Sequence, residues 1–192
     1  MEYTEKEIKL RVKNLSGLVD SLKKRGAKFL NKSKEKTIRL DTPSGDLESR
    51  GVFLRVRAGS KNTITLKEKT EEDKSVRARK ETEFEIQDVD KMAYILERLG
   101  FGYSRIMEKY RINLSYKGTK LSLDELFFGQ FLEIEGQENK IEKVAKELGF
   151  NPNEKILVTY WDILEEYNKK KKTKLKDIIF SKGYKSKLLK FY

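Results

Sequence analysis

About eight short stretches of this chain alternate apolar and charged residues with period two, and the charged side often carries acids and bases together. The first is "EKEIKLRV" (5–12). From Ile8 onward the apolar residues Ile8, Leu10 and Val12 take one face, and Glu5, Glu7, Lys9 and Arg11 take the other. A single strand with one face in water reads this way too. The recurrence is what constrains the fold. "VFLRVRA" sets Arg55 and Arg57 opposite Leu54, Val56 and Ala58, and "TITLKEK" sets Thr65, Lys67 and Lys69 opposite Ile64 and Leu66, with "GSKN" (59–62) as a hairpin turn between them. "VRARKETEFEI" puts Arg77, Arg79, Glu81, Glu83 and Glu85 in one register. "EKYRINL" adds Lys109, Arg111 and Asn113, "KLSLDEL" adds Ser122 and Asp124, "FLEIEG" adds Glu133 and Glu135, and "KTIRLD" (36–41) completes the set.

Helical spacing appears in four places. Leu15, Leu18, Val19 and Leu22 close on Gly26; Met92, Ile95, Leu96 and Leu99 on Gly100; Ile141, Val144, Ala145 and Leu148 on Gly149. "YWDILEEYNKKKK" predicts a fourth helix. A weak duplication runs through these pieces: Glu5-x-Glu7, helix, Gly26 and "TIRLD" match Glu81-x-Glu83, helix, Gly100 and "RINLS". In an open sheet the charged faces meet water; in a closed one they point inward, and eight strands suffice for closure. An interior of acids and bases is costly unless partners, ions or water fill it. A polyphosphate with divalent cations would do so. Same-face neighbours stand roughly 6.6 Å apart along a strand and roughly 4.8 Å across strands, about the scale of a phosphate chain.

The 192 residues contain neither cysteine nor histidine. That excludes disulfides, thiolate metal sites and cysteine nucleophiles, fits a cytoplasmic protein, and leaves oxygen ligands for magnesium, manganese or calcium. No apolar run is long enough to span a membrane, and no secretory signal is visible. Of the net charge of +12, residues 169–192 hold +9, from ten lysines and Asp177. Any nucleic-acid reading rests mostly on this tail. Ile178, Ile179, Phe180, Leu188, Leu189 and Phe191 in it are free to dock on the main body or on a partner. Two units are expected: 1–168, and a lysine-rich extension, 169–192.

"EKEIK" resembles the E-x-E-x-K signature of the CYTH superfamily, the triphosphate tunnel metalloenzymes. "DTPSGDLESRGVFLRVR" (41–57), "TLK" (65–67), "RKETEFEI", "KYR" (109–111), "LDEL" and "GQFLEIE" (129–135) follow in that family's order over about residues 1–167. The resemblance implies an α+β fold: an eight-stranded antiparallel closed β-barrel, a tunnel, with amphipathic helices outside. It implies a triphosphate substrate (ATP, thiamine triphosphate or tripolyphosphate) with Mg2+ or Mn2+. Carried onto this chain, Glu5, Glu7, Glu133 and Glu135 hold metal, with Glu81 or Glu83 assisting. Lys9, Arg55, Arg57, Lys67, Arg79, Lys109 and Arg111 line the phosphate path. Lys67 and Asp124 are the candidate catalytic residues, Asp124 falling where class IV adenylyl cyclases have a functional acid. "VTYWDIL" (158–164) resembles a Ser-Tyr-x-x-Leu-Leu segment with Thr159 in place of serine, and "TLKEK" lacks a proline often found after the lysine.

Arg11 and Arg77 read as strand-edge or surface charges, Glu85 as pointing out past the tunnel mouth, and Lys169–Lys172 as a solvated helix end. Two functions compete. One is triphosphate chemistry, as a class IV cyclase or as a tripolyphosphatase or thiamine triphosphatase. The other is a binding module for polyphosphate or nucleic acid. A homodimer is left open.

Overall fold

A computed structural model describes residues 2–70, 76–186 and 188; Leu189 and Phe191 of the tail lie outside them. The elements run β1 (Glu2–Arg11), α1 (Leu15–Lys24), β2 (Lys28–Asp41), a single turn α2 (Asp46–Ser49), β3 (Phe53–Ala58), β4 (Thr63–Lys69) and β5 (Arg77–Glu85). Then come α3 (Val89–Arg98), β6 (Gly102–Tyr116), β7 (Thr119–Leu126), β8 (Gly129–Glu135), α4 (Glu138–Glu147), a 3-10 turn (Pro152–Glu154) and α5 (Tyr160–Lys171). The eight strands close into one antiparallel barrel in the order β1-β5-β4-β3-β2-β6-β7-β8. β2 and β6 begin earlier than their alternation suggests and pair with each other from Lys28↔Ser115 to Asp41↔Gly102. Phe29 and Leu30, at the start of β2, remain 44% and 50% exposed, so no buried face marks this end of the strand.

Helices cover the apolar outer faces. Leu15, Leu18, Val19 and Leu22 of α1 and Ile141, Val144 and Ala145 of α4 pack on Ile8, Leu10, Ile112, Leu114, Leu121, Leu123, Leu132 and Ile134. Val89 and Leu96 of α3 pack on Leu40, Leu54 and Val56. Each fully buried aliphatic side chain contributes about 1.5–3 kcal/mol. α1 and α3 start where a polar side chain satisfies free backbone donors: Asn14 accepts from Gly17 N at 2.9 Å and Asp88 from Lys91 N at 3.0 Å. Gly26 and Gly100, with φ of +78° and +94°, let the chain turn out of α1 and α3. The fourth helix packs differently. Tyr160, Trp161, Ile163 and Leu164 of α5 meet Met107, Leu126, Phe131 and Ile178. Met107 and Phe131 lie on the inward faces of β6 and β8, so α5 plugs one end of the barrel.

The register supports the duplication. Equivalent positions of the two β-α-β units pair with each other: Thr4 with Lys80 on β1–β5, and Glu35 with Lys109 on β2–β6. Exchanging the halves, β1 with β5, β2 with β6, β3 with β7 and β4 with β8, leaves the strand order of the ring unchanged.

The boundary expected at residue 168 falls inside α5, and the chain beyond it returns to the barrel. Ile178 N donates to Ile106 O at 2.9 Å and Glu108 N donates to Ile178 O at 2.6 Å. This satisfies an edge of β6 that β7, which pairs only from Tyr110 onward, does not reach. Ile178 and Leu188 are fully buried. On β7, the outward carboxylate of Glu125 accepts from Tyr184 OH at 2.8 Å, Ser186 Oγ at 2.6 Å and Leu188 N at 3.0 Å.

Candidate active site

Alternation delivers the charged face of each strand to the lumen. There a cavity of about 860 Å3, its open mouth included, is lined by eight cations and six carboxylates: Lys9, Arg55, Arg57, Lys67, Arg77, Lys109, Arg111 and Lys120, with Glu5, Glu7, Glu81, Glu83, Glu133 and Glu135.

On one wall, Lys9 Nζ lies 3.0 Å from Glu133, which also pairs with Arg111. Behind them stands Asp124, with no exposed surface. It accepts from Arg111 Nε at 2.6 Å and Nη2 at 2.5 Å, from Lys109 Nζ at 3.0 Å and from Tyr160 OH at 2.8 Å. Burial alone would raise the Glu133 carboxyl, but Lys9 and Arg111 hold it well below the usual range. Burial and the Asp124 charge push the Tyr160 phenol well up, and burial with the Arg111 charge lowers Lys109.

On the opposite wall, Lys67 bridges Glu5 and Glu81, lying 2.7 Å from the latter. Burial raises Glu5, but Lys67 and Arg55 outweigh it and bring the carboxyl to about 2. Glu81 goes the other way, raised by burial and by Glu5. Glu83 accepts from Thr65 Oγ1 at 2.8 Å and Arg57 Nη2 at 3.3 Å. Glu35 of β2 is buried 3.7 Å from Lys109 and 3.9 Å from Arg57, and its Oε2 has no hydrogen-bond partner among the described residues. Against the cost of burial, Arg111 and Lys109 keep it at about 2.

The two ends differ. Near the open mouth Glu7 and Glu135 are direct cross-strand partners, held by Arg77 at 2.8 Å and Lys120 at 3.0 Å. At the plugged end the lining turns aromatic: the rings of Phe53 and Trp161 are 5.6 Å apart, Lys9 sits 4.5 Å over the Tyr160 ring, and the Arg39 guanidinium lies 5.2 Å from Phe53.

The donor chemistry fits a hard divalent cation, since every carboxylate here offers only oxygen. Like charges directly opposite on neighbouring strands are unfavourable, so the facing Glu7 and Glu135 fit a cation between them. The six carboxylates do not form one cage. Among the described residues no three acids converge as metal ligands: Glu5, Glu81, Glu83 and Glu133 are each drawn to cations of their own wall.

Three other sequence expectations need correction. Arg77 is not a surface charge; it lines the cavity. Asp124 does not reach the lumen, because three donor side chains enclose it. Arg79 shares the inward register of β5, but its guanidinium donates to the Ala78 carbonyl at 2.9 Å, away from the cavity lining. Arg11 and Glu85 are exposed, as their positions suggested. Sequence reading missed Glu35, Lys120, Phe53 and Trp161. Glu35 shares parity with Arg39 and becomes visible once β2 is extended backwards. The aromatic end has no local signal, because β3 and α5 meet only in the fold.

A model of the CYTH domain matches residues 4–178. A protein of Methanocaldococcus jannaschii provisionally named adenylate cyclase is 29% identical over 181 residues, covering 94% of this chain and 95% of its own. The structure of the PH1012 protein of Pyrococcus horikoshii superposes with a TM-score of 0.69 at 28% identity, over 81% of this chain and 96% of that one. At 22% identity, a provisionally assigned adenylyl cyclase of Hippeastrum, described as having dominant triphosphatase activity, shares the fold with a TM-score of 0.63, over 87% and 96% of the two chains. With the family match spanning nearly the whole barrel and its plug, the chain belongs to the CYTH domain family.

Proposed function

We propose that this protein is a divalent-metal-dependent enzyme that acts on a triphosphate held in the tunnel, class IV adenylyl cyclase-like: ATP yields cyclic AMP and pyrophosphate. The observation that supports this is the lumen itself, eight cations interleaved with six carboxylates. A site that bound only a polyanion would have no use for so many inward acids. Each cation is at present neutralised by an acid, and a triphosphate can take over those contacts as charge-assisted hydrogen bonds.

Glu7 and Glu135 would hold the cation, which when bound would neutralise phosphate oxygens and the charge growing on the leaving group; Glu5 and Glu133 stand next to them, each paired with a lysine. Lys9, Arg55, Arg57, Lys67, Lys109 and Arg111 bind and orient the phosphates. Asp124 fixes Lys109 and Arg111 from behind rather than touching substrate. The aromatic end, Phe53, Trp161 and Tyr160, suits an organic group carried by the triphosphate, which favours a nucleotide over bare tripolyphosphate. In the cyclase reaction the ribose 3′-oxygen attacks the α-phosphorus, its proton passes to a base, and the bond to the β-phosphate oxygen breaks. Glu81, with its raised pKa, and Lys109, with its lowered one, are the lining groups whose shifts suit proton transfer.

A second reading is triphosphate hydrolysis. The same cradle serves it, and Glu81 beside Lys67 would receive the proton of an attacking water. A panel of ATP, thiamine triphosphate and tripolyphosphate, with magnesium or manganese, read by phosphorus NMR, separates the readings. Cyclic AMP with pyrophosphate identifies a cyclase and orthophosphate a hydrolase; no turnover across the panel overturns both.

A further inference from the structure

The triphosphate chemistry leaves the chain's charge surplus unexplained. Most of it sits after residue 168, and the tertiary structure carries that segment to a particular place. The buried Ile178 and the Glu125 carboxylate anchor it along β6. Glu108, on the outward face of β6, joins it to β2: one oxygen accepts from Lys34 Nζ at 2.9 Å and the other from Phe180 N at 3.3 Å. Lys32, Lys34 and Lys36 alternate along the outer face of β2 and are exposed. They lie where the cover of α1 and α4 ends and that of α3 has not begun. Lys34 is the cross-strand partner of Tyr110. The Phe180 ring lies 5.0 Å from Tyr110 and stacks on Tyr184 at 4.3 Å and 21°. Lys182 and Lys185, both exposed, lie close to Phe180 and Tyr184 along the chain.

We propose that this outer strip, the lysines of β2 beside the Tyr110–Phe180–Tyr184 rings, binds single-stranded nucleic acid. A row of cations that follows a backbone, with aromatic faces next to it, is the usual composition of such surfaces. The rings, all three half-buried and packed on one another, favour a partner with accessible base faces: a duplex hides them, and a polyphosphate or a lipid headgroup presents nothing that stacks.

The test is fluorescence anisotropy of a labelled twelve-nucleotide oligouridylate with the full chain, titrated over a range of salt. Binding should weaken with salt, by about 0.7 in the log–log slope for each phosphate contact. The double variant Lys32→Gln/Lys36→Gln should bind at least several-fold more weakly and lower that slope by about 1.4. Phe180→Leu, which keeps apolar bulk but removes the π face, should weaken binding about 5- to 150-fold, the loss of one stacked base. Saturating tripolyphosphate at matched ionic strength should leave binding in place. Absence of binding at low salt, unchanged affinity in both variants, equal affinity for a duplex or for anionic vesicles, or displacement by tripolyphosphate would each overturn the proposal. Displacement would assign the oligonucleotide to the tunnel, and since none of these variants touches the lumen, the triphosphate reading stands or falls separately.

Discussion

The charges that line the cavity are paired with one another across it, whereas Asp124 is enclosed behind them. Its partners are Lys109, Arg111 and Tyr160, it has no exposed surface, and nothing can take its place. Removing one member of a buried ion network costs about 3–5 kcal/mol. Asp124→Asn is therefore expected to lower unfolding stability by about that much in urea, together with a loss of triphosphate affinity as Lys109 and Arg111 lose their anchor. A stable Asp124→Asn protein with unchanged affinity would contradict the positioning role. Glu7 makes the opposite case. It opposes Glu135 across the β1–β8 ladder, so a divalent cation should raise the melting temperature of the wild type. Glu7→Gln is expected to lose most of that metal-dependent shift while folding normally, because the amide keeps shape and an oxygen but not the charge. Arg57→Ala tests the phosphate path. Losing one charge-assisted contact should weaken tripolyphosphate binding by about 1.5–3 kcal/mol, measured by calorimetry, with little change in fold.

At the scale of elements, the segment after α5 works as a ninth edge piece. It satisfies the backbone of β6 at Ile106 and Glu108 and places Ile178 among Met107, Leu126 and Trp161. Ile178→Ala is expected to destabilise the protein by about 2–5 kcal/mol, through lost burial and the cavity left behind. The plug itself starts at a capping box, Thr159 with Asp162. Tyr160 follows immediately, its ring beneath Lys9 and its hydroxyl on Asp124, so the start of α5 and the charged lumen are held by the same contacts.

At the scale of the whole molecule, the charged interior sets the pH response. Glu5 and Glu35 are held at about 2 against an ordinary 4.5. For carboxyls lowered by folding, the stabilisation is complete above the unfolded value and fades as pH falls through the folded one. Thermal stability should therefore fall as pH drops from about 4.5 toward about 2, and a protein equally stable at both ends of that window would show that these acids are not paired in solution.

Much of this was legible in the chain. Period-two alternation dictates which side chains share a face, so Glu5, Glu7, Lys9, Arg55, Arg57, Lys67, Lys109, Arg111, Glu133 and Glu135 were on one side of their strands before any fold was known. The residues lost to sequence reading have physical reasons. Arg77 had the correct parity, but its distance from the strand end depends on where β5 begins. Asp124 also had the correct parity, and only the arrival of Tyr160 from α5 separates a lining acid from an enclosed one. By itself, the sequence determined the inward and outward faces and the amphipathic helices that cover the latter, because local backbone geometry imposes those periodicities. Tertiary structure alone decided which acid meets which cation, which end of the barrel is plugged, and where the lysine-rich tail returns, because these depend on strands and loops distant in the chain coming together around a closed ring.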